Sequence, residues 1–223
     1  MADTESGRIA ERDRWLAGSA FVDADGHPVT WYHGTDAAPF NVFSRWDEFS
    51  IGFHFGGPEA AQARVAAIAE GLDAGAEGCA VMQVICRARN PLRLRDHYTW
   101  GFDRLAGELV DLGVIDDETG DAIVDTCDDS YVFAALEAAG HDCILYANEC
   151  EFKERQTDSL IVWRAELLKS PLAASFDPED PRLLPQHPAD DGDMGAWRRL
   201  RASIAAAREA LPTLAGGRKP AFA

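Results

Sequence analysis

A chain of 223 residues, 47% of them hydrophobic, can bury a full core, and it reads as one globular domain with terminal extensions. Its net charge of −17 sets up a field that repels phosphate backbones, which disfavours a nucleic-acid target. No run of eighteen or more apolar residues occurs, and Met-Ala-Asp-Thr-Glu-Ser lacks the basic and apolar blocks of a secretory signal, so a cytoplasmic protein without membrane spans is expected. The five cysteines (Cys79, Cys86, Cys127, Cys143 and Cys150) are odd in number, never form CxxC and have mostly apolar neighbours. Reduced, buried thiols are expected rather than a disulfide frame or zinc site, and neither His97 nor His141 has a metal-ligand partner at useful spacing, so no metal is expected. The acids either keep the protein soluble or present an acidic face to a basic partner protein.

Taken in chain order, Glu11 to Gly18 predicts a short helix, and Asp23-Ala-Asp-Gly26 a turn reversing into a strand over Val29 to His33. Asp36 to Ser50 lacks either periodicity but carries Phe40, Val42, Phe43, Trp46 and Phe49, which predicts a loop pinned to the core by aromatics and, at that length, a functional one. Ile51 to Phe55 reads as a second strand, and Pro58-Glu59 opens a helix to about Glu70. A third strand spans Ala80 to Cys86 and is closed by Asn90-Pro91. Helices follow over Asp103 to Leu112, Thr119 to Cys127 and Tyr131 to Ala139, the last capped by Gly140. Cys143 to Tyr146 and Ser159 to Trp163 are the remaining strands, separated by a polar loop from Ala147 to Asp158. Beyond Ser170 the rise in proline and aspartate predicts a solvated linker, then one amphipathic helix from Gly195 to Leu211.

Three constellations carry chemistry. His33 with Gly34 and Thr35 puts an imidazole, able to hydrogen-bond a ribose hydroxyl, next to a bare backbone on which a planar amide can lie; the alternative is a satisfied core histidine beside a bulge. Gly52-Phe53-His54-Phe55 repeats the pattern, with alternation placing both phenylalanines opposite the histidine, so His54 could stack on a heteroaromatic ring or simply point outward. Together the pair suggests a dinucleotide guest. In the acidic loop, Glu149, Glu151, Glu154 and Asp158 could fix a ribose hydroxyl and stabilise positive charge at an anomeric carbon, or be solvated.

Tyr32-His-Gly-Thr35, Gly52-Phe-His-Phe55 with Pro58-Glu59, Asn90-Pro91-Leu92, His141-Asp-Cys-Ile-Leu-Tyr-Ala-Asn-Glu149, Asp158-Ser-Leu-Ile-Val-Trp163 and Leu167-Leu-Lys-Ser170 occur in this order. The set resembles the ADP-ribosyltransferase superfamily, most of all its phage and polyvalent-protein branch and more distantly the diphtheria-toxin and poly(ADP-ribose) polymerase group. The resemblance covers roughly residues 10 to 172. It implies an α+β fold, an ADP-ribosyltransferase-like split mixed β-sandwich with flanking helices around an NAD+ cleft. That domain, with its N-terminal helix, would occupy 1–172, and 173–223 would form the acidic Pro-rich linker and C-terminal helix. It also implies that His33 binds the adenosine-side ribose and that Gly34 grips the nicotinamide carboxamide, with Thr35, Gly52, Phe53 and Phe55 around the cofactor. His54 stands where the polymerase group has a stacking tyrosine.

The family's catalytic glutamate falls at Ser159, so the resemblance implies that Asp158 supplies the acid one residue early, with Gln156 before it, or that Glu151 or Glu149 reaches in. The expected function is a mono-ADP-ribosyltransferase, toxin- or effector-like, using NAD+ as co-substrate, no metal, and a protein acceptor. The alternatives are an NAD+ glycohydrolase and a non-catalytic binding module of the same fold; a tRNA 2'-phosphotransferase would need more basic residues.

Overall fold

The computed structural model describes residues 5–37, 39–44, 51–71, 77–149 and 157–211. In chain order these form α1 (Glu5–Leu16), β1 (Thr30–Thr35), β2 (Phe53–Phe55), α2 (Pro58–Gly71), β3 (Ala80–Cys86), β4 (Pro91–Leu94), α3 (Phe102–Asp111), α4 (Asp117–Thr126), α5 (Asp129–Ala138), β5 (Cys143–Asn148), β6 (Thr157–Val162), a 3-10 turn (Ala165–Leu167), β7 (Leu168–Lys169) and α6 (Asp191–Ala210). The fold is α+β, with two sheets ordered β1-β3-β7 and β2-β6-β5-β4. The first is antiparallel; the second is mixed, because β4 runs parallel to β5 through the α3–α5 crossover.

Alternation along β6 explains the layers. Leu160 and Val162 join Phe53, Phe55, Trp31 and Val84 in a core between the sheets. Ile161 points the other way and joins Tyr146, Leu105, Leu109, Phe133 and Leu136 under the helices. A strand covered on both faces reads as the continuous apolar run Leu-Ile-Val rather than an alternating one. A smaller cluster of Trp15, Leu16, Ile85 and Phe176 seats α1 on the far side of the three-stranded sheet.

Local chemistry sets the helix ends. The Asp116 carboxylate accepts from the Thr119 amide at 2.9 Å and that of Asp128 from Ser130 at 2.8 Å, capping α4 and α5. Gly140, with φ of +92°, closes α5: its amide donates to the Glu137 carbonyl and that of His141 to Leu136, the paired bonds of a Schellman ending.

Three elements depart from expectation. Asn90-Pro91 does not merely close a strand; Pro91 begins β4, where an edge position makes its missing N–H harmless. The short β7 carries no periodicity long enough to read. The segment expected to be a solvated linker is packed: Ala173, Phe176 and Leu183 are buried, and the wholly buried Lys169 ammonium donates to the carbonyls of Asp180 and Arg182. Burial pushes the Lys169 pKa down to about 8. α6 starts at Asp191, capped by the Asp190 carboxylate on the Gly192 amide, and buries Leu200, Ile204 and Ala207 in the helical core.

Cys86 and Cys143 are buried as expected, but Cys79 is half-buried and Cys127, in a left-handed conformation at the end of α4, is exposed. Cys150 lies outside the described residues, as do Trp46 and Phe49; Phe40, Val42 and Phe43 do pack on the inter-sheet core. Among the described residues no helix is long and apolar enough to cross a membrane.

Candidate active site at the junction of the sheets

Among the described residues, one backbone bridge joins the two sheets. Tyr32 donates to the Gly56 carbonyl at 3.0 Å and accepts from the Gly56 amide at 2.9 Å, after which β1 and β2 diverge. Alternation turns the N–H and C=O of Gly34, two residues on, to the same edge, beyond the last pairing. A side chain at Gly34 would meet the Ala61 carbonyl at 2.4 Å and Val65 Cγ2 at 3.2 Å. The glycine therefore lets α2 lie directly on the strand, which occupies the face expected to be bare.

The His33 imidazole turns into the inter-sheet core, edge-on to Phe43 and tilted to Phe55 with centroids 5.1 and 5.5 Å away. Its Nδ1–H donates to the His54 carbonyl at 2.7 Å, tying the first motif to the second. Thr35 is buried and its hydroxyl accepts from the Ala37 amide at 3.1 Å.

His54 points away from Phe53 and Phe55, as alternation requires. Its Nε2–H donates to the Ile51 carbonyl at 2.9 Å, and Nδ1 faces the Tyr146 hydroxyl at 3.3 Å. Burial drives its pKa down to about 4, against the hydrogen bond to Ile51, so the ring is neutral at physiological pH. Trp100 and Tyr146 approach it edge-to-face at 5.9 and 6.2 Å. Gly52 has φ of +63° and would place a Cβ 2.9 Å from Ile161 Cγ2, so the turn into β2 requires glycine on two counts. The two imidazoles are thus one hydrogen bond apart through the main chain, with their rings on opposite faces of β2.

The acids separate in the same way. Asp158 sits on the Leu160 face of β6, exposed, and binds the Arg93 guanidinium through both oxygens at 2.9 and 2.8 Å. Ser159 is buried on the His54 face, opposite Tyr146, and its hydroxyl accepts from Asn148 Nδ2 at 3.2 Å. Glu149 is exposed just after β5, its amide held by Asp96 Oδ2 at 3.0 Å. Glu151, Glu154 and Gln156 lie outside the described residues.

The turn from Arg95 to Trp100 was not singled out by the motifs. Here His97 Nε2–H donates to the Glu108 carboxylate at 2.5 Å, and Trp100 stands between His97 and His54, at 5.2 and 5.9 Å. Burial raises the Glu108 pKa, but bonds from the Arg95 amide and the His97 and Arg95 side chains outweigh it and hold the carboxyl below its ordinary value. Tyr98 and Trp100 both have left-handed backbones, with φ of 58° and 50°. The run Arg-Asp-His-Tyr-Thr-Trp is dense in polar and aromatic side chains, which was the available signal; its partner Glu108 comes from the next helix.

No family model matches the chain, and no curated protein or solved structure does either.

Proposed function

We propose that the chain is a mono-ADP-ribosyltransferase that takes NAD+ as donor and a protein as acceptor, on an ADP-ribosyltransferase-like split sandwich. The observation that carries this reading is the edge at Gly34. One N–H and one C=O stand there next to His33, where the two sheets part, and a carboxamide is the ligand group that offers the complementary pair. The nicotinamide end of NAD+ fits that edge, and His33, moored to β2, stands adjacent for a ribose hydroxyl.

Transfer breaks the bond between nicotinamide and the ribose anomeric carbon, with the bonding pair leaving on nicotinamide. An acceptor nucleophile then forms the new bond and gives up its proton. A carboxylate near the anomeric carbon stabilises the charge that develops there. We assign this role to Asp158, exposed on the Leu160 face and bound by Arg93, with Glu151 or Glu149 of the loop before β6 as the alternative acids.

The second reading, a binding module of the same fold, is favoured by one observation: the buried Ser159–Asn148 pair fills the strict position of the acid. Incubation with NAD+ and chromatography for free nicotinamide separates the readings. We expect nicotinamide release, and with labelled NAD+ and lysate a labelled protein. His33→Ala should reduce release at least about a hundredfold, as should Asp158→Ala, or Glu151→Gln or Glu149→Gln if one of those is the acid. Release without labelled protein would identify a glycohydrolase, and intact NAD+ after long incubation a binding module.

A further inference from the structure

The three-stranded sheet leaves half of one edge unpaired. Tyr32 spends its N–H and C=O on Gly56, so alternation gives those of Trp31, His33 and Thr35 to Val84, Met82 and Ala80. The N–H and C=O of Val81 and Gln83 therefore point to the far edge of β3. Ile85 points there too and meets Lys169 of β7, and the Arg87 amide donates to the Leu167 carbonyl at 2.9 Å. β7 stops at that point for a chemical reason. The same register would set Pro171 opposite Gln83, and proline has no N–H to give. The chain instead turns away, with the Ala173 amide on the Ser170 carbonyl at 3.0 Å. Among the described residues the four backbone groups of Val81 and Gln83 have no hydrogen-bond partner.

The surroundings specify what completes this edge. Val81 is 40% exposed, Gln83 is exposed, and Leu172, at the turn that ends β7, is 78% exposed. No charge and no proline occurs from Cys79 to Cys86, although these are the devices that keep an edge strand from pairing. Two N–H and two C=O groups, spaced two residues apart on an extended strand, are complementary to another extended backbone. A second copy of β3 fits poorly, because it would bring its own β7 into the same space and a like net charge of −17. Asp36 and Glu77 are exposed at the end of β3 where Thr35 pairs with Ala80, and neither forms an ion pair among the described residues. A guest running antiparallel reaches that end with its C-terminal side.

We propose that the free edge of β3 binds an extended segment of a basic partner protein, antiparallel to Val81–Gln83, with aliphatic residues opposite Val81 and Gln83 followed by a lysine or arginine. The main chain supplies up to four hydrogen bonds, the aliphatic side chains cover Val81, and the cation meets Asp36 and Glu77. The edge lies across the sheet from the junction with β2 and does not depend on the NAD+ reading.

The test begins with amide hydrogen exchange of the full chain, read by NMR. The Val81 and Gln83 amides should exchange at least about a hundredfold faster than those of Met82 and Val84, which are bonded to β1. Adding acetyl-Val-Thr-Val-Lys-Lys-amide should slow the Val81 and Gln83 amides saturably. The same peptide with both valine nitrogens methylated loses its two donors and should bind at least about tenfold more weakly, and a version ending in Glu-Glu about threefold more weakly. Val81→Lys should weaken binding about tenfold, and Leu172→Lys, on a turn outside any strand, about threefold. Val124→Lys, the same change at an exposed position on α4, should leave it unaltered. Slow exchange of Val81 and Gln83 in the dilute free chain, no protection by the peptide, equal binding of the methylated peptide, or equal loss from Val124→Lys would overturn the site. Protection that rises with protein concentration alone, with a dimer in sedimentation, would assign the edge to a second copy and overturn the proposed partner.

Discussion

At the scale of single residues, His54 is the clearest case of environment deciding chemistry. Its pKa in the fold is about 4, while in the unfolded chain it returns to about 6.5. Between those values the unfolded chain takes up a proton that the folded chain refuses, so the stability His54 contributes is present above pH 6.5 and lost as pH falls toward 4. The full loss is roughly 3 kcal/mol. Urea unfolding at pH 7 and pH 5 should show it, and His54→Asn should flatten that part of the profile; parallel profiles for the two proteins would refute the assignment. His54 was legible in Gly-Phe-His-Phe as a residue set apart from its flanking phenylalanines. Its two hydrogen-bond partners were not, since Tyr146 is 92 residues away along the chain.

Among elements, α6 shows what composition conceals. Glu166, 1% exposed, receives Arg164 at 3.1 Å, Trp197 Nε1 at 3.2 Å and Arg201 at 3.4 Å, which clips the helix to the 3-10 turn before β7. Burial alone would raise the Glu166 pKa, but its own backbone N–H and these donors outweigh it and hold it below the ordinary carboxylate value. The clip is therefore intact at neutral pH and weakens only as pH falls through the acid range. Glu166→Gln should cost about 2 kcal/mol, less than a fully buried pair because both arginines can reach water. Faster amide hydrogen exchange concentrated in α6 would support this, and a loss spread evenly over the chain would not. The proline- and aspartate-rich stretch before α6 predicted solvation because composition reports backbone preference. Three apolar anchors and one buried lysine were enough to pin it.

For the molecule as a whole, the two cores set thiol reactivity. Burial raises the Cys86 pKa to about 12 and that of Cys143 well above its ordinary value, while Cys127 stands in solvent. Iodoacetamide at neutral pH should label Cys127 in the native protein and spare Cys86 and Cys143 until urea is added, because only the thiolate reacts. Mass spectrometry reads this directly, and native labelling of Cys86 would show that the inter-sheet core opens. The sequence by itself determined β1, β2, β3, β5 and β6 through their apolar runs, the existence of the six helices, and the two His–Gly motifs, because each is encoded within a few neighbouring residues. Only the tertiary structure decided that Gly34 lets α2 lie on β1, that Asp158 and Ser159 face opposite ways, and that His97 meets Glu108. Those outcomes depend on which strand lies beside which and which helix covers it, and such contacts between residues distant in the chain leave no local pattern to read.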